Sequence, residues 1–441
     1  MQHIDLLIHA GWVIPVEPAG LVLEHHSVAV HNGRIEAVLP RGRAEAQYSA
    51  AEVRDLPDHA LVPGFVNTHT HAAMSLMRGL ADDLPLMTWL QEHIWPVEAR
   101  WVSEEFVHDG TQLAMAEMIR GGTTCFNDMY FFPDITARAA LHAGMRAMIG
   151  LIVIDFPTVW AQDADEYLSK GLALRDEIRN EPLLRTAFAP HAPYTVSDAP
   201  LERIRVLSAE LGIPVHMHVH ETADEVRQAV GRDGRRPLAR LDALGLLSPD
   251  FLAVHMTQLE PEEIRLLAER GVRVLHCPES NLKLASGICP VQALLREGVT
   301  VALGTDGAAS NNDLDMIGEM RTAALLAKIR AEDASALPAQ AALRMATLSG
   351  AEALGLQEEI GSIERGKSAD LCAIDLSRLE TRPVYDPVSQ LVYAACREQV
   401  SDVWVAGRCL LRERRLTTLD EAALRERAET WRARISAQTG D

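Results

Sequence analysis

Between Phe65 and about residue 350, short apolar runs alternate with longer stretches of helical period. The runs fall near 65–71, 123–129, 146–154, 185–190, 214–220, 251–256, 272–277 and 300–305, which predicts eight strands. Helices are predicted between them, for example over 104–120, 200–211, 262–270 and 291–297. Ser103 is placed to cap the first of these helices and Gly121-Gly122 to end it. Eight βα units in one run predict an α/β fold built on a (β/α)8 TIM-type barrel. An open doubly wound sheet would carry Gly-x-Gly-x-x-Gly after its first strand, and that motif is absent. Both flanks read as β. Ser27–Val38 is two short strands around Asn32-Gly33, a dipeptide suited to a type I′ turn because both central positions need φ > 0. Gly361–Leu371 and Val403–Arg408 are β-rich as well. The expected organisation is a barrel over 61–355 and a small β-sandwich domain built from both chain ends, 1–60 plus 356–441. The latter carries a charged helix over 420–437.

Composition narrows the function classes. The chain has 441 residues, and 62 Asp+Glu against 42 Lys+Arg gives a net charge of −20, which argues against nucleic acid or an anionic membrane as partner. The expected partner is a small molecule, and the expected assembly a homo-oligomer. Six cysteines without a Cys-x-x-Cys pair suggest neither a zinc ribbon nor a thioredoxin-like site, and fit a reducing cytoplasm. The first residues lack the positive region of a targeting signal, and no apolar run reaches the roughly 18 residues of a spanning helix.

The histidines carry the chemistry. Of 17, eight (His69, His71, His191, His216, His218, His220, His255 and His276) fall on or just after five of the strand candidates. Strand alternation puts His69 and His71 on one face with Asn67, and His216, His218 and His220 on one face of the fifth strand. In a barrel that face at the C-terminal rim is the active site. One histidine on an apolar strand is usually a core residue, and His-x-His alone is a weak signal. Convergence with His255 on the sixth strand and Asp306 closing the eighth is a strong one, because a shared metal offsets the cost of burying several imidazoles. His69, His71, His218 and Asp306 make an N3O set suited to one Zn²⁺ with room for a water, and Fe²⁺ would accept it too. A second metal would need a bridge such as a carboxylated lysine, and none of Lys170, Lys283, Lys328 and Lys367 lies on the fourth strand. Glu221 sits three residues after His218. Alone it reads as a solvated loop carboxylate or a cap; beside a metal-bound water it is placed to shuttle protons.

Several segments resemble one family. Pro63–His71, His218-Val219-His220-Glu221-Thr222, His276–Leu284 and Leu303–Asn312 look like the amidohydrolase superfamily, and within it the 5′-methylthioadenosine/S-adenosylhomocysteine deaminases. The resemblance covers nearly the whole chain. It implies one metal held by His69, His71, His218 and Asp306, with His255 not a ligand but a hydrogen-bond partner of the nucleophile; spacing alone leaves His255 open. It also implies that Trp89, Glu98 and His191 contact substrate, the glutamate on the ribose hydroxyls and the histidine on the purine. His276 is a further candidate contact. One stretch departs from the family pattern. After the third strand, where members acting on S-adenosylhomocysteine carry arginines, Asp155–Glu166 has none and holds Asp155, Asp163, Asp165 and Glu166. Phe156, Val159 and Trp160 there suggest an apolar wall.

The expected function is that of a zinc-dependent aminohydrolase. It removes the 6-amino group of a ribosyl purine, with Glu221, His255 and Asp306 as proton-handling groups and a water whose pKa the metal lowers toward about 7. The expected order is 5′-methylthioadenosine, then adenosine, then S-adenosylhomocysteine. The nearest rivals are guanine-type deamination and hydrolysis of triazines or cyclic amides. A non-catalytic metal-binding protein is disfavoured by Glu221 and His255. The deaminase class with His-x-Glu and Pro-Cys-x-x-Cys is excluded, because that motif is absent.

Overall fold

The structure is a computed structural model that describes residues 1–437. Eight strands form the predicted barrel: β1 (Phe65–Thr70), β2 (Thr123–Asp128), β3 (Arg146–Val153), β4 (Leu184–Pro190), β5 (Val215–Val219), β6 (Phe251–His255), β7 (Arg273–His276) and β8 (Val301–Leu303). Each pairs in parallel with the next in sequence order. The ring is joined where Thr68 Oγ1 donates to Leu303 O at 2.8 Å and the Asp306 N–H donates to His69 O at 3.0 Å. The second bond ties two predicted metal ligands through backbone. β5 and β6 pair with Val254 opposite His218 and His255 opposite Val219, so their exits lie side by side.

The helices follow from local signals. Glu104–Arg120 (α1) starts at Ser103, whose Oγ accepts from Phe106 N at 3.2 Å, and ends at Gly121, as the sequence predicts. It buries Phe106, Val107, Met115, Met118 and Ile119. Burial of each such side chain is worth about 1.5–3 kcal/mol.

The chain ends supply a second eight-stranded sheet. Its order is 415–416, 408–412, 400–405, 371–375, 48–63, 2–13, 23–31 and 34–40. Strand Gln2–Val13 runs parallel to Tyr48–Pro63, and Leu371–Asp375 pairs antiparallel with the latter, Leu371 opposite Pro63. The Asn32-Gly33 turn has φ 50° and 74°, both positive as a type I′ turn requires. We propose the two-domain division on this separation of the sheets, with the first boundary at Gly64 rather than the expected 60/61, because strand Tyr48–Pro63 belongs to the end sheet, and the second at the expected 355/356. The C-terminal helix Glu421–Ser436 (α2) lies against the barrel helix α1: Trp431 is buried, its Nε1 donates to Asp109 Oδ2 at 3.0 Å, and its ring meets Phe106 edge-on. Gly64 links the two sheets where a Cβ would come within 2.1 Å of Thr124, so only glycine fits. Among the described residues no helix is long and apolar enough to cross a membrane.

Candidate active site and metal centre

The exits of β1, β5 and β8 bring His69, His71, His218 and Asp306 together, with one ligand atom from each within 4.8 Å of all the others. Their outer nitrogens fix their orientation. His71 Nδ1 donates to Met129 O at 2.6 Å, and His218 Nδ1 donates to His191 O at 2.7 Å. A carbonyl only accepts, so both rings carry hydrogen on Nδ1 and turn Nε2 inward. His69 Nδ1 pairs with His216 Nε2 at 2.9 Å, and His216 is held in turn by Asn127.

Inside the cluster, His69 Nε2 and His218 Nε2 lie 3.2 Å apart, and Asp306 Oδ1 is 3.3 Å from His69 Nε2 and 3.2 Å from His71 Nε2. Lone pairs facing one another at that range are stabilised by a cation. Three imidazole nitrogens and one carboxylate oxygen are a donor set suited to a zinc ion. Burial pushes His69 down to about 4 and His218 well below the usual imidazole value, so both are neutral ligands at pH 7. Burial also pulls on His71, but the Asp306 carboxylate outweighs it and lifts that ring to about 9. The two imidazole bonds hold Asp306 well below the carboxylate range despite its burial.

Next to this set stand an acid and a base. Glu221 Oε2 is 3.8 Å from His255 Nε2, and burial raises the Glu221 pKa. Asn281 Oδ1 sits 2.9 Å from His255 Nδ1, which places hydrogen on Nδ1 and leaves Nε2 as the acceptor. Ser280, one residue earlier, donates to Asp306 Oδ2 at 2.7 Å. The turn after β7 therefore orients two groups of the site at once. Backbone φ is positive at His255 (75°), Met256 (50°) and Asp306 (63°). Such strain costs of order 1–3 kcal/mol per residue and persists where surrounding contacts over-determine it.

The centre opens into a cavity of about 460 Å³. Trp89, Glu98, His191, Glu221, His255 and Asp306 all line it, with His71 and His218. His69 lies fully buried behind them. Tyr130, which sequence reasoning missed, donates to Glu98 Oε1 at 2.8 Å, and burial pushes Glu98 up to about 7. Trp89 Nε1 is buried in the wall without a partner, which leaves a donor for a ligand. His191 Nδ1 bonds Thr195 Oγ1 at 3.0 Å, and burial pushes its pKa down to about 3, so the ring is neutral. The structure does not bring His276 to the cavity wall: it is buried at the end of β7, with Nδ1 unpartnered. His220 is a packing residue, between Gln258 O and the Leu238 N–H.

The stretch after β3 is only partly as expected. Phe156 and Val159 line the cavity, but Trp160 does not; it packs edge-on to Phe132 with Lys170 over its face. Three of the four acids point elsewhere. Asp163 caps the helix Ala164–Ile178, Asp165 pairs with Arg203, and Glu166 pairs with Lys170. Among the described residues, no Arg or Lys lines the cavity. Arg146 lies at the start of β3 and is committed to Asp370, and Arg175 lines a separate pocket beside Arg185.

Comparison with known proteins agrees with this geometry. The amidohydrolase family model matches residues 60–410. A 5-methylthioadenosine/S-adenosylhomocysteine deaminase from Teredinibacter turnerae is 52% identical over 99% of this chain and 98% of its own length. One from Saccharophagus degradans is 51% identical over 98% of this chain and 97% of its own. A crystal structure of an adenosine deaminase from Xanthomonas campestris with bound zinc has 58% identity and a TM-score of 0.98, covering 99% of both chains. With the match running from the end-sheet strand before the barrel, through the whole barrel and back into the end sheet, this chain belongs to the amidohydrolase family.

Proposed function

We propose that this chain hydrolyses the 6-amino group from a ribosyl purine, with 5′-methylthioadenosine as first substrate and adenosine as second. The observation that carries the reading is the pairing of two groups across one cavity. The His69, His71, His218 and Asp306 cluster lies at one end with Glu221 and His255 beside it; Glu98, held by Tyr130, lines the same cavity. A carboxylate accepts two hydrogen bonds and so suits a cis-diol. Triazines and free guanine offer no such diol, which sets the rival amidohydrolase reactions behind this one. Trp89 supplies a flat wall, neutral His191 a contact for the purine, and Phe156 and Val159 an apolar seat for a thiomethyl group.

His69, His71, His218 and Asp306 would hold a single divalent metal, zinc by donor type, which supplies the Lewis acidity that makes water nucleophilic near pH 7. Asp306 takes a proton from the attacking water. His255 Nε2 accepts a hydrogen bond from it, because Nδ1 is occupied by Asn281. Glu221, whose raised pKa keeps a proton at hand, delivers it to purine N1. The C6–O bond forms; Glu221 takes up the proton of the C6 hydroxyl as the carbonyl forms and passes it to the 6-amino group, the C6–N bond breaks to release ammonia, and the proton held by Asp306 returns to Glu221. The product is the corresponding inosine. The test is to mix metal-loaded protein with 5′-methylthioadenosine and adenosine and to follow ultraviolet absorbance and ammonia together. Release of one ammonia per inosine product supports the reading; no turnover of either nucleoside by protein carrying one metal per chain overturns it.

A further inference from the structure

Behind the site stands one buried acid that the chemistry described above does not use. Glu319 lies on the first turn of the helix Met316–Ala331 and is fully buried. Among the described residues it makes no ion pair. Burial, with Glu279 adding to it, pushes its pKa well above the carboxylate range. A carboxyl so placed costs stability, and an apolar side chain of similar size would serve the packing better. Its two oxygens are divided between two turns. Oε2 accepts from the Glu279 N–H at 3.2 Å, and Oε1 accepts from Asn311 Nδ2 at 2.6 Å. Glu279 is followed directly by Ser280 and Asn281, which hold Asp306 and His255. Asn311 Nδ2 also donates at 2.8 Å to the carbonyl of Thr305, the residue before Asp306. Thr322, one turn further along the same helix, donates to Glu279 Oε1 at 2.7 Å.

We propose that Glu319 is a positioning residue for the reaction: from outside the cavity it clamps the turn after β7 to the turn after β8, and so sets where Asp306 and His255 stand relative to each other. The proposal rests on the deaminase reading for the roles of those two groups. The clamp needs an acceptor at both ends, because the Glu279 N–H and the Asn311 amide are both donors. A carboxyl keeps acceptor lone pairs on both oxygens, with or without a proton. A glutamine has one acceptor oxygen, and its amide nitrogen would meet one of the donors with another. The strained backbone at Asp306, with φ of 63°, lies between Thr305, gripped through Asn311, and Gly307, whose N–H donates to Asp306 Oδ1 at 2.8 Å. Strain of that kind persists where neighbours over-determine it. Neither Glu319 nor Asn311 lines the cavity, so the clamp acts on the reacting end of the site and not on substrate affinity.

The test uses two variants outside the cavity, Glu319→Gln and Asn311→Ala, each loaded with metal and given 5′-methylthioadenosine. Both are expected to lower kcat about tenfold, a typical loss when a group that orients others at a metal site is removed, and to leave KM within about twofold. Combined with Asn281→Ala, Glu319→Gln is expected to lose less than the product of the two single losses, since both act on the placement of His255. A second readout needs no turnover: the crystal structure of Glu319→Gln is expected to show Ser280 moved off Asp306 or Asn281 moved off His255. An unchanged kcat in both variants, a rise in KM as large as the fall in kcat, a fully multiplicative double variant, or a Glu319→Gln crystal structure with both contacts intact would each overturn the proposal. Absence of turnover by the wild-type protein would instead strike the deaminase reading, and the crystal structure would still decide whether Glu319 holds the two turns.

Discussion

Asn281 holds His255 through a contact of 2.9 Å between Oδ1 and Nδ1. The partner amide decides which imidazole nitrogen is free for the proposed contact with the nucleophile. Asn281→Ala removes that bond and lets the ring turn or change tautomer. Loss of a group that orients a catalytic histidine costs roughly 10–100-fold. The expected result is a fall in kcat of that size with metal content unchanged, read by steady-state kinetics beside metal analysis. A wild-type kcat would show that His255 needs no such hold.

Glu221 and His69 separate proton transfer from metal binding. Glu221→Gln keeps the shape of the side chain and removes the acid. General acid–base groups contribute roughly 10²–10⁴-fold, so kcat is expected to fall that far while one metal per chain remains. His69→Ala is expected to lose metal and activity together. A metal-free Glu221→Gln protein would make Glu221 a ligand.

In its proposed ribose-binding role, Glu98 gives substrate binding a pH dependence. Its pKa is lifted to about 7, so the carboxylate proposed to accept from the ribose hydroxyls forms only as pH rises through that value. KM for a ribosyl substrate is expected to rise about tenfold per unit below pH 7 and to level above it. Glu98→Gln is expected to flatten the profile, and a 2′,3′-dideoxy nucleoside to be insensitive to the change. Stability runs the other way. A carboxyl whose folded pKa exceeds its unfolded value stabilises the fold below the unfolded pKa, and that contribution is lost as pH rises through about 7. Glu98→Gln is therefore expected to raise Tm relative to wild type at pH 8 and not at pH 4.

Arg146 ties the barrel to the end sheet. Its Nε and Nη2 donate to the two oxygens of Asp370 at 2.9 and 3.2 Å, and both side chains are buried. Arg146→Ala leaves Asp370 charged and unpaired, which costs roughly 3–5 kcal/mol. A drop in Tm without a change in KM is expected from thermal unfolding and kinetics. An unchanged Tm would mean that the sheets dock without this pair.

The eight strands fall within one or two residues of where apolar runs predict them, and α1 starts and stops at its predicted caps, because both signals are local. The metal set was legible for the same reason: strand alternation puts His69, His71 and His218 on inward faces. In the sequence, Asn281 and Ser280 stand out only as members of the segment His276–Leu284 that resembles the family. Their work is done on partners 26 residues away, and no period in the chain marks such a contact. Tyr130 meets Glu98 across 32 residues for the same reason. The acids after β3 misled because composition counts charges without showing where they point: Asp163 faces a helix end and Asp165 an arginine on the next helix.

The sheet built from both ends also sets a timetable. Strand Tyr48–Pro63 leaves the ribosome about 300 residues before Leu371–Asp375, the strand that covers its open edge. At about 5–20 residues per second, that edge stays bare for roughly 15–60 s of synthesis. The whole barrel emerges in the interval. Strand Tyr48–Pro63 thus waits longer than the barrel strands, most of which meet their neighbours within tens of residues, while only the outer edge of β1 waits for β8. A chain cut short anywhere before residue 371 would carry this unpaired edge permanently, with aggregation rather than partial activity as its fate.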